Sequence, residues 1–317
     1  MYTKKALKIL HSIYLKYNFI KKKEGILLKI SNYFDVDTKS LNCFNIETAT
    51  DTKRYLDPTK IVFSNNKYFN HDLASKKIGD FFKTLLELHD DNRENEILEL
   101  LKNIHEVNDT HLGESKNKVN GHGPKFDALV EAMNTISDIE KIVKLDKNVI
   151  LSTSLVFNIF VLDFGPDSYS DLITNIIYAE LSDYTEKILK VYGQKMLPHK
   201  ADRFSWNEKK HSWEKIVVKY FEIDGERIVL FPKKIAVSSH QGSSVKYLQS
   251  VIFDKIRADL LKNDPKFKAN QKELKKIVKG MYPGMTSKEI DISLTKTNPD
   301  LFLKFCEKLT KDNKGKS

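Results

Sequence analysis

The stretch NVILSTSLVFNIFVLDF, residues 148–164, carries no charge before Asp163 and is dense in β-branched and aromatic side chains. A run that is apolar on every side must be buried on every side, so it dictates where the core lies. It is shorter than the ~18–20 apolar residues that a bilayer-crossing helix needs, so what buries it is protein. β-branching, aromatic content and the missing 3.6-residue period predict a central strand over 149–162. The 317 residues, 40% hydrophobic and 30% charged, are enough to close a core around it.

The rest of the chain alternates helix and strand signals. EGILLKISNYF (24–34) and KIVFSNNKYF (60–69) read as short strands, the second broken at Asn65-Asn66. DLASKKIGDFFKTLLELH (72–89) and NRENEILELLKNIHEV (92–107) carry helical periodicity, as does 170–193, read as one helix closed by Gly193. Two β-rich runs flank Asp224-Gly225, a dipeptide suited to a type I′ turn, and predict a β-hairpin near 213–232. From Val245 onward four helices are punctuated by Pro265, Pro283-Gly284 and Pro299, and Thr286 with Glu289 forms a capping box. The expected class is α+β: a mixed sheet flanked by helices in a body over 1–242, then a basic helical region over 243–317. The polar segment SSHQGSS, 238–244, is the expected linker.

The net charge of +10 predicts a polyanionic partner. Residues 1–23 contain no acid, a second basic block runs from Lys262 to Lys279, and Glu87–Asp109 is acidic. The N-terminal segment reads as a basic amphipathic helix, with Leu7, Leu10, Tyr14 and Tyr17 along one stripe docked on the protein's own core. It has no apolar h-region and no small-residue cleavage site, and no stretch of the chain is long enough to span a membrane. Cys43 and Cys306 stand far apart without CxxC spacing, which fits the reducing cytoplasm.

FVLDFGPDSYSDLITNII, 160–177, brings the acids together: Asp163 at a strand end, then Asp167, Asp171 and Asn175 at helical spacing. Hard cations such as Mg²⁺ take carboxylate oxygens, and a nuclease uses the ion to activate water and to neutralise charge on phosphate. In that reading Asp163 and Asp167 ligate magnesium, Asp171 and Asn175 support them, and Lys233 stabilises charge near the scissile phosphate. The competing reading is structural, with Ser168 and Asp171 as a capping box and Asp167 favouring the positive helix terminus. Pro166-Asp167 resembles the first half of the PD-(D/E)xK nuclease motif, but no ExK follows within a strand; EKK (208–210) and EKI (214–216) do not fit.

Other motifs are weaker. The loop at 113–125 has glycines at 113, 121 and 123 feeding a helix, and Lys116, Lys118 and Lys125 would meet phosphate there, although Walker and dinucleotide spacings are absent. HEVNDTH (105–111) places Asp109 where a zincin needs its second histidine. There is no GxSxG elbow. TSKEIDISLTK has the place of the second helix of a helix-turn-helix, but Glu289 and Asp291 near its start make it a poor recognition helix, and Lys272, Lys275, Lys276 and Lys279 are the expected phosphate contacts of the C-terminal region.

YLDP (55–58), HLGESKNKVNGHG (111–123), FGPDSYSDLITNII with LSDYTEKIL (164–189) and IVLFPKKIAV (228–237) together resemble a group of uncharacterised bacterial proteins from mobile-element and phage-defence neighbourhoods. The resemblance implies a defence role and carries no established activity. Two functions follow as expectations: a metal-dependent nuclease acting on DNA sooner than RNA, or a non-catalytic DNA-binding or sensor subunit of a multi-protein defence complex. A third, nucleotide chemistry at the 113–125 loop, would show as thermal stabilisation by nucleotides.

Overall fold

The computed structural model describes residues 29–113, 149–162, 164–198, 200–223 and 225–314. The basic N-terminal segment, the lysines of the 114–125 loop and Asp163 lie outside those residues.

Helix α1 (His71–Asp90) opens where Asn70 accepts a hydrogen bond from the Leu73 N–H at 3.2 Å, and it buries Phe81, Phe82 and Leu85. Helix α2 (Glu94–Lys102) follows at once. Both match their periodicity, because an amphipathic stripe is written locally.

Helix α3 (Val149–Phe160) overturns the expected central strand at 149–162. Leu155, Val156, Phe157, Ile159, Phe160 and Val161 are all at most 1% exposed, so the segment is core on every side. A helix buried all round shows no more periodicity than a buried strand, and its length of 12 residues is a helical length. The polar pair Ser154 and Asn158, four apart, is the helical signature inside it: the Ser154 carbonyl accepts from Tyr169 Oη at 2.8 Å and Asn158 Nδ2 donates to Gly242 O at 2.9 Å. Phe157 meets Phe82 of α1, with ring centroids 4.7 Å apart.

Helix α4 (Pro166–Ile176) and helix α5 (Tyr178–Val191) replace the single helix expected over 170–193, with the break at Ile177. Of the other short-strand expectations, residues 24–28 lie outside the described residues, and the described parts hold a helical turn each and no strand. Ile30–Tyr33 is one, and Pro58–Val62 is capped by Asp57, which accepts from the Thr59 N–H at 2.8 Å ahead of Pro58.

Strands β1 (Tyr55–Leu56), β2 (Lys200–Asn207), β3 (Ser212–Lys219), β4 (Phe221–Ile223), β5 (Glu226–Ile228) and β6 (Ala236–Val237) form three two-stranded antiparallel sheets, β1–β6, β2–β3 and β4–β5. The class is α+β, but no mixed sheet exists among the described residues. With helix at 149–160, the longest strands among the described residues, β2 and β3, pair only with each other. The expected hairpin at 213–232 is divided: β4 pairs with β5, while β3 pairs back onto β2.

Helix α6 (Ser244–Tyr247) continues through a π turn (Leu248–Ile252) into α7 (Phe253–Asn263). Helix α8 (Gln271–Met281) and α9 (Ser287–Thr297) each begin with a capping box, Asn270 with Glu273 and Thr286 with Glu289, and α10 (Asp300–Lys314) closes the chain. One apolar core runs from Ile30 to Leu309 through both the body and these helices. Of the 238–244 segment, Ser238 and Ser239 are exposed but residues 240–244 pack against it, so the segment is no free linker. His240 is 2% exposed, with Nε2 3.0 Å from Leu56 O, and Gln241 N donates to Asp57 Oδ2 at 2.8 Å. No helix among the described residues is long and apolar enough to cross a membrane.

Gly242 shows how tight that segment is, because a Cβ there would lie 1.8 Å from Leu155 Cδ2. Gly242→Ala is expected to lower unfolding stability by about 1–3 kcal/mol through overpacking. Denaturant unfolding measures it, and an unchanged midpoint and slope would show that the junction repacks freely.

Candidate functional site

The acids of α4 sit where they do because of how that helix starts. Gly165 is the N-cap and Pro166 the first helical residue, so Ser168 lies inside the first turn and caps nothing. The expected Ser168–Asp171 capping box is therefore absent. Proline, pre-set to a helical φ, moves the N-cap from Ser168 three residues upstream to Gly165. Asp167 occupies the first turn, where the helix terminus favours a carboxylate.

Asp167, Asp171 and Asn175 share one face, at i, i+4 and i+8. That face meets two loops that sequence spacing did not connect to it. Thr52 N donates to His111 O at 2.9 Å and Gly113 N to Thr52 O at 3.1 Å, which brings 51–52 alongside 111–113. Gly113 has φ +131°, and a Cβ on it would come within 2.8 Å of Asp167 Oδ1, so only glycine lets the loop lie against this carboxylate. Asn175 Nδ2 donates to His105 O at 2.6 Å and to Asp171 O at 2.8 Å.

Burial pushes the Asp171 carboxyl up to about 8, reinforced by the charges of Asp167, Glu106 and Asp51, while the Val107 N–H pulls the other way. Asp171 is therefore largely neutral at pH 7. His111 is 7% exposed in a left-handed conformation at φ +51°. Burial lowers its pKa against the pull of Asp51, Glu226 and Asp109, and its Nε2 has no hydrogen-bond partner among the described residues. Asp109 accepts from Tyr178 Oη at 2.6 Å and from Arg203 Nη2 at 2.8 Å.

Asp171 is largely neutral at pH 7, and the Asn175 amide nitrogen is committed to the His105 and Asp171 carbonyls, so Asn175 would offer a cation its Oδ1. Among the described residues no group of three His, Cys, Asp or Glu side chains is placed to hold a metal. Lys233, the expected charge stabiliser, donates through Nζ to Thr38 O at 2.9 Å and Lys39 O at 3.4 Å, and its charge acts on the Cys43 thiol, which burial raises to about 12. It is spent on that loop, not on the acids. The structure thus brings Asp167, Asp171 and Asn175 together with Asp51 and Glu106 and leaves Lys233 elsewhere. No local signal marks Asp51 or Glu106, because they reach α4 only through the fold.

The second group of expected residues lies on α8. Lys272, Lys275, Lys276 and Lys279 are all exposed, and Leu274 and Val278 are buried on the opposite side. At 3.6 residues per turn the four lysines fall within roughly 100° of the helix surface. None of them is drawn into an ion pair among the described residues, whereas Lys255, Lys262 and Lys304 are each paired with a neighbouring aspartate. Exposed Lys266 and Lys268 extend the basic surface ahead of α8.

Helix α9, a poor recognition helix by the acids near its start, is committed to packing. It buries Ile290, Asp291 and Thr295, and Ser244 Oγ donates to Asp291 Oδ2 at 2.5 Å. Its Lys288 Nζ donates to Val161 O and Phe164 O at 2.5 and 2.9 Å. An apolar spacing written for packing takes precedence over a basic composition. The acidic stretch 87–109 lines a separate groove of about 790 Å³ with Glu87, Asp90, Asp91, Glu96 and Glu99.

In comparisons with known proteins, one family model matches residues 34–242, about two thirds of the chain, and its description is Domain of unknown function (DUF8370). The match contains the acids of α4 and stops short of α8. No curated protein and no solved structure matches.

Proposed function

The chain belongs to the DUF8370 family, a domain without an assigned function, and from there we propose that it is a non-catalytic nucleic-acid-binding protein that grips phosphate backbone with the lysine face of α8. The observation that carries this reading is the four-lysine face itself: exposed, free of acids along its stripe and backed by a buried apolar side that holds the helix in place. Such a face neutralises phosphates and releases counterions without reading bases, so the binding is salt-sensitive and indifferent to sequence. The defence setting, as one subunit of a larger complex, rests on the resemblance of the segments at 55–58, 111–123, 164–189 and 228–237.

The test incubates purified protein with plasmid and single-stranded DNA, with and without Mg²⁺ or Mn²⁺, and measures both retention and cleavage. Retention that weakens steeply with salt, with no cleavage under any condition, is the expected result. Metal-dependent cleavage that disappears in Asp163→Ala/Asp167→Ala, while that variant still binds, would replace the binding reading with the nuclease.

A further inference from the structure

Around Asp57 the body and the C-terminal helices are joined by a ring of hydrogen bonds. Thr59 N donates to Asp57 Oδ1 and Gln241 N to Asp57 Oδ2, both at 2.8 Å. Gln241 Oε1 in turn accepts from Asn313 Nδ2 at 3.0 Å, and Asn313 Oδ1 accepts from Lys60 Nζ at 2.7 Å. The last turn of α10 and the 238–244 junction are thereby tied to the Pro58–Val62 turn.

His240 is buried in this seam, with the rings of Tyr55 and Tyr169 at centroid distances of 5.5 and 5.1 Å. Its Nε2 lies 3.0 Å from Leu56 O, so Nε2 carries the proton and Nδ1 is a buried acceptor without a partner among the described residues. Thr59 Oγ1, whose own N–H holds the other Asp57 oxygen, is likewise buried and unpartnered. Buried polar groups are normally satisfied, so two orphans in one seam mark a junction held by less than its full complement of bonds.

Neutral, His240 fits this site; protonated, it does not. Protonation puts an N–H on Nδ1 where no acceptor waits, and a charge where water is excluded. The ionisable groups around it are Tyr55 on β1, Asp57 and Lys60 at the Pro58–Val62 turn, and Tyr169 on α4. Tyr169 Oη donates to Ser154 O, and Lys60 is held by Asn313. Burial lowers the His240 pKa, and the Asp57 charge and the Leu56 carbonyl offset only part of that. The folded value therefore lies below the unfolded value of about 6.5: the neutral site is fully stable above that pH and loses stability as the pH falls beneath it. Relieving the charge means turning the imidazole toward water or Asp57, which gives up the Leu56 O bond and disturbs the Gln241 N–H beside it.

We propose that His240 is a proton-operated latch: neutral, it locks the 238–244 junction and the last turn of α10 onto the body, and protonated, it lets both loosen. The latch needs no nucleic acid and stands independently of the reading of α8.

The experiment follows hydrogen exchange of the full chain at pH 7.5 and pH 5.5, with rates corrected for the intrinsic effect of pH. Opening of 238–247 and of the last turn of α10 should increase by up to about tenfold at the lower pH, the ceiling for a histidine that protonates only once the seam has opened, while α1 keeps its protection. His240→Gln offers a similar N–H to Leu56 O and has nothing to protonate, so in that variant the increase should vanish. His111, whose pKa burial also lowers, is present in both proteins and acts on the 105–113 loop. Should glutamine loosen the seam at both pH values, the wild-type imidazole decides: its NMR titration should have a midpoint below about 6.5, with the Gln241 and Asn313 signals moving at the same midpoint. Opening at pH 5.5 no greater than at pH 7.5 overturns the proposal. So does an increase undiminished in His240→Gln, or a His240 titration that Gln241 and Asn313 do not follow.

Discussion

Replacing Lys272, Lys275, Lys276 and Lys279 together by Gln lowers affinity for duplex DNA about a hundredfold to a thousandfold near 0.1 M salt, at roughly 1 kcal/mol or less for each phosphate no longer neutralised. The slope of log affinity against log salt should shrink by about 3–4, since each neutralised phosphate contributes roughly 0.9. The fold should survive, because all four side chains are exposed and glutamine is as good a helix former as lysine. Gln at Lys262 and Lys304 is the matched control. Those lysines are already paired, with Asp259 and Asp300, and should change affinity little. Binding measured across a salt series decides the matter. A slope unchanged in the quadruple variant would move the interface off α8.

Asp171→Asn should make the protein more stable at pH 8 by about 2 kcal/mol, well below the full value of a four-unit shift because the side chain is only partly buried. The Asp171 carboxyl is raised in the folded state to about 8. Its contribution is therefore fully present below the unfolded value near 4 and is lost as the pH climbs toward 8, where the unfolded chain ionises freely and the folded one resists. Asparagine keeps an acceptor for the Val107 N–H and has nothing to ionise. Urea unfolding of both proteins at pH 4 and pH 8 reads the difference. The variant's advantage should be small at the lower pH and grow with pH; an advantage equal at both would mean that Asp171 ionises normally. Asp291, whose burial also raises its pKa, titrates in both proteins and drops out of the comparison.

A carboxyl held neutral among Asp167, Glu106 and Asp51 is an expensive arrangement for a protein that gains only a helix turn from it. Stability given up at one site is a common mark of constraint there. In this chain the constraint is geometric: Asp167 presses on Gly113 and Asn175 ties α4 to His105, so the acid face docks the 105–113 loop.

What could be read from the residues alone was whatever a short window encodes. Helices α1, α2, α8 and α9 were visible in their stripes, the Thr286–Glu289 capping box in its spacing, the β4–β5 pairing in Asp224-Gly225, and the lysine face in its i, i+3, i+4, i+7 pattern. Each is set by chemistry between neighbours. What only the tertiary structure decided was everything that depends on what lies opposite. Residues 149–160 are apolar all round, so local pattern allows strand or helix, and it is the packing of α1 on one side and α9 on the other that makes them a helix. The start of α4 fell to Pro166 over Ser168, and Asp171 became neutral through burial, reinforced by Asp167 one turn away and by Glu106 and Asp51, more than sixty positions away in the chain. Charge interaction and burial act through space, and the distance along the sequence carries no record of either.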